Sequence, residues 1–183
     1  DYALERLARD VRELLDGLAL ERVHLAGMSL GGVVGFEVAS AWPARVASLC
    51  LVDVAPGVVF EETAQLRSFV RSLADGVASL DDASEAAVRV GALRDRERVL
   101  YRMRVSLRRE RDGRFYWKRD PRWTPDFPAI LERIHTFAER TREIDAPFLL
   151  ARGSRSSILP QAAAASFAAR FARRRMSTWR LSS

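Results

Sequence analysis

The sequence predicts an α/β fold: a partial, mostly parallel sheet flanked by helices, with a helical insertion between two of its strands. Three observations support this fold class. Helix and strand patterns alternate through residues 1–56. The segment 46–52 is almost continuously apolar, as strands are when a parallel sheet is covered on both faces. Strand character then returns only at residues 147–153, after a long stretch of mainly helical pattern.

Each element follows from a local pattern. Apolar residues at helical spacing, or runs rich in alanine and valine, predict helices near residues 2–18, 30–42, 61–74, 82–90, 94–109, 130–142 and 161–171. Short apolar runs predict strands at residues 22–26, 46–52, 147–153 and 177–181. Between residues 57 and 142 we find no convincing buried strand, and the polar and aromatic segment 112–117 predicts a loop.

This order predicts two structural parts. Residues 1–56 and 146–183 would form an α/β core, and residues 57–145 would form a helical cap inserted between two strands of the sheet. The core is expected to be incomplete, because no strands precede the segment at 22–26 to build the first half of a sheet.

The segment Gly27-Met28-Ser29-Leu30-Gly31 carries the most specific chemistry. It has the G-x-S-x-G pattern between an apolar strand and a helix, which is the layout of a nucleophile elbow. In such a turn Ser29 is the nucleophile and the backbone N–H of Leu30 donates to the developing oxyanion. The residues two before and two after the serine are expected to be small, so that the helix can pass close to the strand. The alternative is a glycine-rich turn with an incidental serine, and the flanking strand and helix favour the elbow.

The run Gly27-Met28-Ser29-Leu30-Gly31-Gly32, followed by Leu51-Val52-Asp53-Val54-Ala55-Pro56, resembles the α/β-hydrolase fold family in its serine esterase and lipase-like branch. The resemblance covers nearly the whole chain, and the segment 112–117 is similar to capped members. It implies hydrolysis of carboxylic esters or related acyl bonds through an acyl-enzyme on Ser29, with no cofactor. Haloalkane dehalogenases and epoxide hydrolases of this fold carry an aspartate at the elbow, so Ser29 argues against them. Perhydrolase and carbon–carbon bond hydrolase chemistry stay open.

A serine nucleophile also needs a carboxylate that orients its base. In many family members this acid follows the strand that corresponds to residues 147–153, but the loop here is Ser154-Arg155-Ser156-Ser157-Ile158, with Ser157 about where the acid would stand. The other position used in the family corresponds to Asp53, at the end of the strand after the elbow and on the same sheet edge as Ser29. An aspartate that only forms the turn at 53–56 is the alternative.

The base is not apparent among the two histidines. His24 lies inside the strand that leads to the elbow and is expected to be packed there, and His135 is expected on a helix face. The resemblance implies that the base lies just beyond Ser183 and that a second oxyanion donor precedes Asp1. We therefore expect a chain truncated at both ends and inactive by itself. The alternative is a non-catalytic remnant, or a pseudoenzyme that binds a ligand or partner.

Two residues, Met28 and Trp117, are candidates for lining a substrate pocket. For the aromatic ring of Trp117, packing against its neighbours is the alternative.

The composition argues against several classes of binding partner. The net charge of +6 is carried almost wholly by arginines, including Arg102 and Arg104, and these lack the interleaved aromatic side chains of a protein that binds single-stranded nucleic acid. No segment reaches the roughly 18 apolar residues of a membrane span. We expect a small acyl or ester substrate, no metal, no nucleic acid, no membrane and a cytoplasmic location, with the oligomeric state open. The single Cys50 permits no internal disulfide.

Overall fold

A computed structural model describes residues 2–59, 61–89, 95–120, 123, 126–171 and 176–181. Helices alternate with strands at both ends of the chain, as predicted. The helices are α1 (Leu4–Gly17), α2 (Leu30–Ala41), α3 (Ala64–Ser72), α4 (Leu80–Arg89), α5 (Arg96–Ser106), α6 (Phe127–Arg140) and α7 (Gln161–Ala169). The strands are β1 (Val23–Met28), β2 (Val46–Val52), β3 (Leu107–Arg109), β4 (Phe115–Trp117), β5 (Phe148–Gly153) and β6 (Met176–Leu181). Residues 90 and 94, where two expected helix ends fall, lie outside the described residues.

The main sheet has the strand order β1-β2-β5-β6, and all three pairings are parallel. In its register Met28 pairs with Val52, and Val52 pairs with Ala151. The carboxyl ends of β1, β2 and β5 therefore meet at one edge of the sheet. The predicted α/β class is confirmed, and the edge where the elbow was expected is where these strand ends converge.

The chain divides into two compact units, Asp1–Phe60 with Pro125–Ser183, and Glu61–Thr124. The second unit begins close to where we placed the start of the inserted segment. Helix α6 groups with the first unit, although the expected insertion extended to residue 145. Its amphipathic sequence could not reveal which unit it would join.

One face of the sheet carries the core of the first unit. Leu49, Leu51, Phe148 and Leu150 alternate along β2 and β5 and are buried against residues from α2, α6 and α7. The stacked rings of Phe148 and Phe171, 4.0 Å apart, are part of this cluster. Alternation of this kind follows from the two-residue period of a strand. It fixes the register, because a shift by one residue would expose every one of these side chains.

A buried ion cluster joins α2 to α6. Glu37 is only 5% exposed. It accepts hydrogen bonds from Arg133 at 2.8 and 3.0 Å and from Arg140 at 2.7 Å. The rings of Phe36 and Phe137 stack beside it at 3.7 Å. The two arginines satisfy the buried carboxylate, and together with the stacked rings they explain why α6 belongs to the first unit.

The second unit has its own small core. Buried side chains of α3, α4, α5 and β3 form it: Phe69, Leu73, Ala83, Ala87, Val99, Met103 and Leu107. Helix α5 begins at the cap residue Asp95, whose carboxylate accepts from the N–H groups of Glu97 and Arg98. The loop expected at 112–117 was wrong at Phe115–Trp117, which forms β4 and pairs with β3 as an antiparallel hairpin. Of the residues in these two strands only Leu107 is buried, so neither is the buried strand whose absence we expected.

Arginines of this hairpin are engaged locally. The Arg114 guanidinium donates to the Gly76 carbonyl at 2.6 Å, and its backbone N–H donates to Asp112. The Tyr116 hydroxyl donates to the same carboxylate at 2.8 Å. Those two hydrogen bonds, the one from Arg114 first, lower the pKa of Asp112, and the bond to Asp112 raises the pKa of Tyr116. Part of the arginine cluster therefore has a structural role in the hairpin.

No helix in the described ranges is both long enough and apolar enough to cross a membrane.

Candidate active site

Ser29 lies between β1 and α2 in a backbone conformation that L-residues rarely adopt, with φ 50° and ψ −122°. Its N–H donates to the Val52 carbonyl at 3.2 Å, which continues the parallel ladder past the end of β1. Its carbonyl accepts from the N–H groups of Gly32 and Val33 and so starts the helix. A strained residue held from both sides is a feature that clusters at functional sites.

Two glycines let the helix pass the strand, but they are not the pair that the motif indicates. A Cβ at Gly27 would lie within 2.5 Å of the Gly32 nitrogen and still closer to the Gly31 carbonyl. A Cβ at Gly32 would lie 2.5 Å from Val54 Cγ1. At Gly31 nothing lies within 4 Å of that position. The expected need for a small residue at Gly31 is therefore not seen: the backbone carbonyl of Gly31 meets Gly27, but a Cβ on Gly31 would have no such close neighbour.

The Ser29 side chain is free for chemistry. Serine is a preferred N-cap, yet here its side chain makes no capping hydrogen bond to α2. The residue is exposed, and no hydrogen bond of its hydroxyl is found among the described residues.

Leu30 is the first residue of α2, and the N–H groups of a first helical turn have no partner within the helix. Its N–H also finds no backbone acceptor in the described part of the chain. Together with the positive end of the helix dipole, this donor favours an anion next to Ser29.

Asp53 is placed at the same sheet edge, directly after β2. Because Met28 pairs with Val52, Ser29 and Asp53 are the next residues on two adjacent parallel strands. Asp53 also has a positive φ of 55°, and its N–H donates to the Ala151 carbonyl at 2.8 Å. Its carboxylate Oδ2 accepts a hydrogen bond from the Ser156 hydroxyl at 2.8 Å. Its Oδ1 is buried and has no hydrogen-bond partner in the described part of the structure.

Ser156 is the residue that sequence reasoning missed. From the sequence, Ser157 was the residue expected at the position of the acid, and its side chain is exposed. Ser156 is half-buried, and its hydroxyl donates to Asp53. No local pattern distinguishes these serines. The partner lies 103 residues away in sequence, so only the tertiary fold brings the two together.

Neither histidine is placed next to Ser29. His24 precedes it by five residues on an extended strand, which corresponds to roughly 16 Å. The expectation of a packed His24 was wrong, because the side chain is exposed and its Nδ1 lies 2.7 Å from Ser48 Oγ. His135 is exposed on α6, as expected for a helix face.

The two candidate pocket residues lie in different units. Met28 is 64% exposed at the end of β1. Trp117 in β4 donates its indole N–H to the Val70 carbonyl at 3.2 Å and packs edge-on against Phe69. Packing within the second unit thus accounts for the aromatic ring, and a pocket role for either residue stays a prediction. In the described ranges no three metal-ligating side chains come together.

The family model of the alpha/beta hydrolase fold matches residues 1–178. The chain belongs to the α/β-hydrolase fold family. The resemblance drawn from the elbow and the Asp53 segment is thereby confirmed, and the chain is of a hydrolase family.

Solved structures are similar over nearly the whole chain. An α/β-hydrolase from Novosphingobium aromaticivorans is 25% identical with a TM-score of 0.71, and the match covers 98% of this chain and 64% of that one. An esterase from Mycobacterium tuberculosis is 22% identical with a TM-score of 0.69, covering 98% of this chain and 60% of that one. This likeness to the esterase shows the shared fold.

Curated relatives match a shorter segment. A Variovorax paradoxus protein provisionally named carbamate hydrolase RutD is 54% identical over 52 residues, which is 28% of this chain and 20% of that protein. A fluoroacetate dehalogenase from Burkholderia is 41% identical over 63 residues, or 34% and 21% of the two chains. The matched segments thus span about a fifth of these relatives.

Proposed function

We propose that this chain supplies the nucleophile and the orienting carboxylate of a serine hydrolase that cleaves carboxylic esters or related acyl bonds. The observation that carries the proposal is the backbone of Ser29 at φ 50° and ψ −122°, held between β1 and α2. Strain of this kind is costly, at about 1–3 kcal/mol, and persists where the surrounding structure enforces it. It presents the hydroxyl at the carboxyl edge of the sheet, where open α/β folds bind their ligands.

The chemistry proceeds in two steps. Ser29 Oγ attacks the ester carbonyl carbon while a base takes the hydroxyl proton, and the carbonyl oxygen becomes an oxyanion that accepts from the Leu30 N–H. The carbon–oxygen bond to the alcohol then breaks, and the base returns its proton to the alcohol. Water, deprotonated by the same base, cleaves the acyl-enzyme and regenerates Ser29.

Asp53 would orient that base. Its buried Oδ1, which lacks a partner among the described residues, is an acceptor of the kind that fixes an imidazole N–H in triads. An aspartate that served only the turn would not require a buried, unpaired oxygen. Because His24 lies five residues before Ser29 on β1 and His135 has no described hydrogen bond to Ser29, the proposal takes its base from outside the described residues.

A dehalogenase reaction is disfavoured by the nucleophile itself. Displacement of halide by a serine hydroxyl would leave an alkyl ether, which water does not readily hydrolyse. A carboxylate nucleophile leaves an ester that water can cleave. The relative named a dehalogenase therefore indicates a shared scaffold and does not extend its reaction to Ser29.

The test uses the full-length product of the gene that encodes these 183 residues, with p-nitrophenyl butyrate as the substrate. We expect measurable turnover that falls to background in Ser29→Ala, and a fluorophosphonate label that mass spectrometry locates on Ser29. Ser40→Ala is the matched control, because Ser40 Oγ is buried without a hydrogen-bond partner on the same helix. Turnover that survives Ser29→Ala would overturn Ser29 as the nucleophile, whereas no turnover and no labelling at all would favour the non-catalytic alternative.

A further inference from the structure

The Asp53 carboxylate has two unlike oxygens. Oδ2 is held by the Ser156 hydroxyl at 2.8 Å, whereas Oδ1 is buried and without a partner in the described part of the chain. A free carboxylate can rotate about its terminal torsion, which is broad and nearly two-fold. A single hydrogen bond to one oxygen removes that freedom and leaves the other oxygen as the acceptor.

The direction of the Ser156 hydrogen bond follows from the carboxylate, which has lone pairs and no proton to donate. The Ser156 hydroxyl therefore donates its single proton to Asp53. One of its own lone pairs accepts from the backbone N–H of Leu159 at 3.2 Å. Ser156 therefore acts as donor to a carboxylate, a pairing stronger than one between neutral groups.

Arg152 shapes the loop that carries Ser156. Its guanidinium donates to four carbonyls of the loop: Gly153 at 2.8 Å, Ser154 at 3.3 Å, Ser156 at 2.7 Å and Leu159 at 2.5 Å. The planar guanidinium group of arginine has five N–H donors, so it can donate to several carbonyls at once. Because both ends of the segment are tied to one side chain of β5, the Ser156 hydroxyl is held in place relative to the sheet.

We propose that Ser156 is a positioning residue for catalysis, acting through Asp53 from a loop that Arg152 holds. It fixes the carboxylate so that Oδ1 receives the N–H of the base, and this inference rests on the function proposed above. Loss of the hydroxyl would let the carboxylate turn and misplace the base. Misplacement of a catalytic group by about 1 Å costs about 100-fold in rate. Substrate binding should be left unchanged, since the described hydrogen bonds of the Ser156 hydroxyl go to Asp53 and to its own loop.

The experiment compares kcat and KM of Ser156→Ala, Ser156→Thr and Ser157→Ala in the full-length gene product, with Ser29→Ala measured in parallel. Ser157 is the control because its side chain is exposed and makes no described hydrogen bond. We expect Ser156→Ala to lower kcat by about 10- to 100-fold with KM unchanged. Ser156→Thr, which keeps the hydroxyl, should recover most of the loss, and Ser157→Ala should equal the wild type.

The outcomes separate the two proposals. A wild-type enzyme that depends on Ser29 but has the same kcat in Ser156→Ala overturns the positioning role alone, as does a loss confined to KM. A protein without Ser29-dependent turnover overturns the proposed function instead. If thermal melting shows that Ser156→Ala does not fold, Ser156→Cys decides the matter. This variant keeps the shape with a weak donor, so a kcat equal to that of the wild type would refute the role.

Discussion

The packing of the elbow predicts opposite effects of the same substitution at two neighbouring glycines. An alanine Cβ at Gly27 would lie within 2.5 Å of the Gly32 nitrogen, against backbone that cannot rotate away. Ordinary contacts are about 3.5–4.0 Å, so strand and helix must separate by about 1 Å. Overpacking costs about 1–3 kcal/mol, and contact with backbone places Gly27→Ala at the upper end, at about 3 kcal/mol.

Gly31→Ala is the matched control. Apart from its chain neighbours and the backbone of its own helix, no described atom lies within 4 Å of the added carbon, and Gly31 lies inside α2. Alanine lowers the entropy of the unfolded chain and favours the helix, so the variant should gain about 0.5–1 kcal/mol.

The assay is thermal unfolding of the full-length gene product by circular dichroism. For a protein of this size 1 kcal/mol shifts Tm by about 2–4 °C, so Gly27→Ala should lower Tm by about 6–12 °C and Gly31→Ala should raise it by about 1–4 °C. Equal losses in both variants, or a Gly27→Ala variant as stable as the wild type, would refute the close-approach reasoning.

Three further predictions concern single side chains. Glu37→Gln should lower the free energy of unfolding in urea by about 3 kcal/mol, because two partly buried guanidinium groups lose their buried counter-charge and keep only the more exposed Glu5 and Glu143. Asp10→Asn in an exposed pair should cost under about 0.5 kcal/mol. Burial raises the pKa of Cys50, so at pH 8 iodoacetamide should modify the folded protein more slowly than the urea-unfolded chain. Tyr116→Phe should raise the pKa of Asp112 in a carboxyl NMR titration, since a donor that lowers it is lost.

Each of these has a contrary result. Equal destabilisation by Glu37→Gln and Asp10→Asn would mean that burial of the ion cluster does not increase its contribution to the free energy of unfolding. Equal alkylation rates would mean that Cys50 is not shielded. The pKa of Asp112 is lowered in the folded protein, so its carboxylate contributes to folding stability above the ordinary carboxyl pKa. This contribution is lost as the pH falls through the pKa of the folded state. An unchanged titration in Tyr116→Phe would remove the hydroxyl as a cause.

The order of the main-sheet elements could be predicted because β2 and β5 are strongly apolar and their neighbours follow the helical period. The hairpin of β3 and β4 could not be predicted from the sequence. Leu107–Arg109 contains one apolar residue, so it offers neither alternation nor an apolar run, and only its pairing with Phe115–Trp117 makes it a strand. A segment of three residues is too short for any periodicity to identify.

The candidate site also has parts that the sequence could predict and parts that it could not. The strand-to-helix turn at Ser29 and Leu30 was predictable because a contiguous motif specifies it. Asp53 became a candidate because the family resemblance offers that position and because parallel strands end at one edge. The catalytic roles of these residues stay predictions. The approach of Ser156 to Asp53, and the fact that Gly32 and not Gly31 excludes a side chain, depend on how loops and helices settle on the sheet. Such distances are set by tertiary packing and leave no trace in spacing.

The hydrogen bond from Ser29 N–H to the Val52 carbonyl makes the proposed nucleophile part of the sheet ladder. Its backbone can exchange its amide proton only when β1 separates from β2, so it belongs to the same cooperative opening unit as the strands. Local fraying of surface loops would leave its strained turn intact. On heating, we therefore expect protection of this amide to persist until the sheet itself opens. The backbone geometry of the proposed nucleophile should therefore be retained for as long as the sheet stays folded.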